Sequence, residues 1–181
     1  ASGGGATRNA EPLYDIAHKR ILQHLVTETP VRVSSLRGLG AMPNVFALEC
    51  AIDELAARAG RDPVAYRLSL TSDPRARAVI GKAAAMAKWD ANAAGGTGIG
   101  RGIGFAQYKN RAAYAAVVVD VEIDEEVRLL RAWCACDGGL VVNPDGAINQ
   151  LEGGIVQGAS WALKEGVRLD AEGIASRDWE T

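Results

Sequence analysis

Arg37 opens the run Arg37-Gly38-Leu39-Gly40, and Pro43 and Asn44 follow it at the head of a segment with helical spacing. A guanidinium set beside the first open amides of a helix is an arrangement that binds an anion, and flanking glycines let a ligand approach the backbone closely. The competing reading is a surface salt bridge in a tight turn, and the residue types leave both open. Arg37, Gly38 and Gly40 are therefore the first candidate binding residues.

A second candidate lies after Asn143-Pro144. Projected at about 100° per residue, Ile148, Leu151, Ile155, Ala159 and Ala162 form an ordinary core stripe. Another face carries Ala147, Gln150, Gly154, Gln157, Gly158 and Trp161. Each glycine costs roughly 1 kcal/mol inside a helix, so close approach to that backbone has to repay it. Tight packing of a helix or strand is one explanation; a bulky polar ligand contacted by Gln150 is the other.

Other chemistries find less support. Cys134 and Cys136 flank one alanine in a strand-like run, which puts both on one face as packed, reduced thiols. The histidines, His18 and His24, are remote from them, so no metal ligand set is read. Ser34 and Ser35 have no evident base partner for hydrolase chemistry. The glycine-rich run 95–104 contains no G-x-G-x-x-G in any register and lies between a helix and a strand, so it reads as a crossover and not a nucleotide loop. No catalytic residue is assigned.

The elements that must position these residues follow from patterning. A helix is expected around Ile16–Val26 and a short strand in "PVRVSSL". Asn44 is expected to cap a helix that buries Val45, Leu48, Ile52, Leu55 and Ala59, with Glu49, Asp53 and Glu54 on its solvated face and Gly60 ending it. Asp62-Pro63 and Asp73-Pro74 are helix starts, because Asp caps open amides and Pro suits the first turn. These helices run to about Leu70 and about Lys88. A hairpin from about Tyr114 turns at Asp124–Glu126 and returns from Val127 to Cys136, a helix spans about Asp145–Lys164, and a second hairpin turns at Asp170–Gly173. Helices apart from antiparallel hairpins make the fold class α+β. The organisation read is a mostly helical segment 1–93, a glycine-rich crossover 94–104 and a hairpin-helix-hairpin segment 105–181.

Bulk properties limit the partners. The chain has 181 residues, 48% of them hydrophobic, and a formal net charge of −2, with no basic run of the kind a nucleic acid requires. No stretch approaches the ~18 apolar residues of a membrane span, and the first residues lack the regions of a signal peptide. Cytoplasm and periplasm are equally compatible. The strand-like end at Asp178-Trp179-Glu180-Thr181 reads as the edge of a cut piece.

Together, "LRGLGAMPNVFALECAIDELAARAGRDPVAYRL" and "CDGGLVVNPDGAINQLEGGIVQGASWAL" resemble the molybdenum-binding subunit of the xanthine oxidase and aldehyde oxidoreductase family, most closely the large subunit of isoquinoline 1-oxidoreductase-like enzymes. The resemblance runs from about Leu13 to the last residue. It implies oxidation of N-heteroaromatic rings or aldehydes with water, at molybdenum held by molybdopterin cytosine dinucleotide, with electrons leaving through an iron–sulfur partner subunit. It also implies that Arg37, Gly38 and Gly40 lie beside the molybdenum centre, that Leu39 stands where xanthine-oxidising members place a substrate-stacking Phe, and that Gln150 is an amide near the cofactor. The family's base belongs to a Gly-Glu motif that does not occur here. The chain then resembles a middle slice of a longer subunit, inactive and cofactor-free by itself. The alternative reading is a non-catalytic scaffold or interaction domain that packs through its glycine-rich helix.

Overall fold

The computed structural model describes residues 5–30, 36–91, 96–108, 112–176 and 178. Among these described residues four helices and five strands follow in the order α1 (Ala41–Arg58), α2 (Pro63–Ser69), α3 (Pro74–Met86), β1 (Ile99–Tyr108), β2 (Ala113–Ile123), β3 (Val127–Asp137), α4 (Pro144–Leu163), β4 (Leu169–Asp170) and β5 (Gly173–Ile174). The class is α+β, as the segregation of helices and hairpins indicates.

Three of the helix starts are set by side-chain caps that the sequence announces. Asp62 accepts from Ala65 N–H, Asp73 from Arg75 N–H and Asn143 from Gly146 N–H, each with Pro at the first helical position. Helix α1 differs. It begins at Ala41 behind Gly40, with no side-chain cap, so Asn44 lies inside the first turn and is not the cap. Its amide is used elsewhere, donating to Ala6 O at 2.8 Å and Arg8 O at 2.9 Å. At the other end Gly60, with φ 61°, lets Arg61 N–H reach Ala56 O and closes the helix.

The main sheet is antiparallel in the order β1-β2-β3, with Ile103 opposite Val118, Phe105 opposite Ala116, and Val118 opposite Trp133. Alternation along β2 buries Tyr114, Ala116, Val118 and Asp120 on one face. Helix α3 covers that face through Ala76, Val79, Ile80 and Ala83, and Ile52 of α1 joins the same core.

Several expectations are corrected here. Residues 99–104 of the glycine-rich run are part of β1 and not a crossover. Their inward positions carry Ile103 and then Phe105, while Gly102 and Gly104 occupy the opposite face, where an added Cβ would meet nothing within 4 Å. Residues 16–26 form no helix; Leu25 is 78% exposed and Ile21, Leu22 and Val26 are exposed with it. A helix of that length is marginal without a surface to pack on, and only Ile16 of this segment reaches the core. In α1 the buried positions are Ala41, Glu49, Ile52 and Ala56, rotated from the expected stripe so that Leu55 and Ala59 face outward. Helix α4 lies against β3 and buries no residue completely, so its supposed core stripe is half-covered at Leu151, Ile155 and Ala159 and exposed at Ile148 and Ala162. The strand expected in "PVRVSSL", Ser34, Ser35 and Trp179 fall outside the described residues, Pro30 and Leu36 excepted.

Candidate functional site

The loop before α1 is built from behind. Gly40 N–H donates to Gly5 O, and an added Cβ at Gly40 would stand 2.3 Å from Ala6 O, so only glycine fits. Asn44 grips Ala6 and Arg8, and Arg8 in turn donates to the Tyr108 hydroxyl at 2.6 Å and lies over its ring. The turn 5–10 is thereby fixed between α1 and β1, and the loop rests on it.

Backbone conformation sets the loop's direction. Gly38 has φ 86° and Leu39 has φ 53°, two consecutive residues in the left-handed region. Gly38 adopts this freely, whereas Leu39 does so at a cost of order 1–3 kcal/mol. The half-buried Leu39 side chain lies against Gly5. Leu39, Gly40 and Ala41 N–H donate to Leu36, Gly5 and Gly38 carbonyls respectively. These three amides are therefore committed within the protein.

Arg37 is exposed, and its Nη1 donates to Gln157 Oε1 of α4 at 2.6 Å across 120 residues of sequence. No carboxylate pairs with it among the described residues. Arg58, Arg67, Arg75, Arg101, Arg128 and Arg131 each meet one, whereas Arg8 and Arg77, like Arg37, are held by neutral oxygens. Gln150 lies two turns before Gln157, exposed, with no hydrogen bond to another described residue. Between them Gly153 and Gly154 have nothing within 4 Å of an added Cβ, so nothing described in this chain packs tightly on that backbone. The structure thus brings Arg37 to α4, but to Gln157 and not to Gln150. The heptad separation of the two glutamines on one helical stripe is the sequence signal that would have nominated both.

Other polar sites are internally satisfied. A groove of about 1210 Å³ beside the N-terminal segment is lined by Arg8, Glu11, Asp15, Asp73, Arg75 and Tyr114 among others. Its charges are committed: Arg75 to Asp137, Tyr114 to Asp73, Asp15 to Ser72 N–H and Lys19 to Glu11. Glu49, expected on the solvated face, is buried; Tyr14 OH, Arg67 Nε and Phe105 N–H all donate to it. Burial and then the Glu49 charge push the Tyr14 phenol far up. Cys134 is half-buried and Cys136 exposed, so the expectation of two packed thiols holds in part for Cys134 and not for Cys136; burial raises both thiols.

Two family models match this sequence, each described as a molybdopterin cofactor-binding domain, one over residues 3–69 and the other over residues 47–178. The chain belongs to the molybdopterin cofactor-binding domain family. Within it, the chain is similar to a nicotinate dehydrogenase subunit of Pseudomonas putida, 40% identical over 188 residues that cover 95% of this chain and 16% of that protein. It is 38% identical over 166 residues to the isoquinoline 1-oxidoreductase beta subunit of Brevundimonas diminuta, covering 89% of this chain and 21% of that subunit. A membrane-bound aldehyde dehydrogenase (pyrroloquinoline-quinone) of Gluconacetobacter polyoxogenes is 25% identical over 169 residues, covering 83% and 22%. The resemblance to the molybdenum-binding subunits of the xanthine oxidase family thus holds. The chain spans about a fifth or less of the length of the curated relatives it matches. Among the described residues no helix is long and apolar enough to cross a membrane.

The donor set fits a molybdopterin in one respect. The group is anionic, and Arg37 is a guanidinium whose charge no described carboxylate cancels. The Leu39, Gly40 and Ala41 amides, already bonded to the Leu36, Gly5 and Gly38 carbonyls, do not add to it.

Proposed function

We propose that this chain is the part of a molybdenum hydroxylase subunit that presents Arg37 to the anionic cofactor, in an enzyme that oxidises N-heteroaromatic compounds or aldehydes with water. The observation that carries the reading is the Arg37 guanidinium, exposed, held by a neutral amide and neutralised by no described carboxylate, in a chain of this family. Arg37 and Gln150 would hold the cofactor, taken to be the cytosine dinucleotide form, and Gly38 and Gly40 give the loop its shape. Leu39 occupies the family's substrate position, where an aliphatic side chain removes the aromatic face that would stack a purine. When bound, the molybdenum centre supplies the oxidation, and an iron–sulfur partner subunit receives the electrons. This chain's own part is to place and orient positive charge. It contains no Gly-Glu motif to take a proton, so by itself it is expected to be inactive.

Exposed apolar residues support a place inside a larger subunit. Leu140 is 91% and Val142 89% exposed in the loop before α4, and Val156 is exposed on α4 itself. Isolated domains seldom leave such residues bare, and the remainder of the large subunit is the cover we assign.

The test compares two substitutions in the full subunit. Arg37→Ala is expected to lose molybdenum content and turnover of N-heteroaromatics with a dye acceptor, at nearly unchanged melting temperature, because the side chain is exposed. Ile52→Ala should do the reverse, costing roughly 2–5 kcal/mol of stability from a fully packed site. Normal metal content and turnover in Arg37→Ala would refute the reading.

A further inference from the structure

We infer that Gln157 is the positioning residue for Arg37, and that it must be a neutral amide to serve there; this rests on the reading that Arg37 faces the anionic cofactor. A long flexible guanidinium on a loop needs a second attachment to hold one direction. Gln157 supplies it from α4 through a 2.6 Å bond, and Gln157 is half-buried while Arg37 is exposed, so the amide is the fixed partner.

The choice of acceptor is informative. The protein steadies some arginines with carboxylates, as at Arg75–Asp137 and Arg101–Asp120, and others with neutral oxygens, as Arg8 with the Tyr108 hydroxyl and Arg77 with the Leu68 and Thr71 carbonyls. A carboxylate at 157 would grip Arg37 more strongly but cancel its charge. An amide oxygen orients the guanidinium and leaves the charge for a ligand. Position 157 therefore separates orientation from neutralisation.

Three variants of the molybdenum-loaded subunit containing this chain decide the matter: Gln157→Glu, Gln157→Ala and Arg37→Ala. Molybdenum and pterin content, the rate of cofactor release and the melting temperature are measured for each. Gln157→Glu should release the cofactor about tenfold faster or more near neutral pH, the usual scale for disturbing a hydrogen bond to a charged group. Its difference from the parent should shrink as pH falls and the new carboxyl becomes neutral like the amide, a recovery that a merely structural role would not give. Gln157→Ala should show a pH-independent loss, with the parent's melting temperature in both variants. Parent-like content and release in both Gln157 variants, while Arg37→Ala loses cofactor, would overturn the role of Gln157 alone. Parent-like behaviour of Arg37→Ala as well would overturn the underlying reading of the site. Should Gln157→Glu fail to fold, Gln157→Ala decides between these outcomes by itself.

Discussion

Arg67 is fully buried, and its charge is met by Glu49 at 3.0 Å and Asp53 at 2.6 Å. Glu49 also accepts from Tyr14 OH and Phe105 N–H, so one carboxylate joins the N-terminal segment, α1, α2 and β1. Such a pair adds little compared with an apolar replacement of both partners, but breaking it strands a buried charge. Arg67→Ala is accordingly expected to cost about 3–5 kcal/mol in urea unfolding. Arg67→Lys, which keeps the charge and loses the fork, should fall between that variant and the parent. At this scale the sequence was misleading, because Glu49 looks like one acid among several on a solvated face, and only its spatial partners show otherwise.

Helix α4 and the loop before α1 use glycine for opposite reasons. An added Cβ at Gly40 would collide with Ala6 O, whereas at Gly154 it would meet nothing within 4 Å. Gly40→Ala should displace the turn 5–10 and destabilise the chain. Gly154→Ala should stabilise it by roughly 0.5–1 kcal/mol, the difference between alanine and glycine inside a helix. Thermal melts of the two variants check both signs. If the full subunit loses stability or cofactor on Gly154→Ala while the isolated chain gains stability, a neighbour outside this chain occupies that face. The β3–α4 connection has its own dependence on pH. The Arg75 guanidinium, and then Gly139 N–H, hold the Asp137 carboxyl at about 2, below the ordinary 3.8. The unfolded chain takes up this proton first, so the stabilisation is complete above a pH of about 4 and lost as pH falls toward 2. Asp137→Asn should flatten the melting temperature's decline across that window.

As a whole molecule, this is one core flanked by unfinished surfaces. Tyr14, Ile52, Ile80, Phe105, Tyr114 and Val118 pack together, which ties the N-terminal segment and the helices to the sheet. Outside that core, residues 21–26, the 140–142 loop and α4 leave large apolar side chains in solvent. Patches of this kind drive association. The 181-residue chain is expected to self-associate at high concentration in sedimentation experiments, and co-expression with the remainder of its subunit should suppress it. A clean monomer that binds no hydrophobic dye would contradict the assigned cover.

The sequence by itself determined the helices that begin at Asp62, Asp73 and Asn143, both hairpins, and the family, because caps, turns and alternation are local signals read over a few residues. It could not settle the glycine-rich strand β1, since glycine weakens strand propensity and only pairing with β2 supplies the hydrogen bonds and the buried neighbours. It placed a helix at 16–26, but a helix of that length needs a surface to pack on, and beyond Ile16 these residues stay exposed in coil. Nor could it say what Arg37 touches. Gln157 lies 120 residues away, and which amide on α4 comes within 2.6 Å depends on how β3 carries that helix past the loop. Burial and long-range pairing are properties of the assembled core, and they alone decided which charges meet a carboxylate.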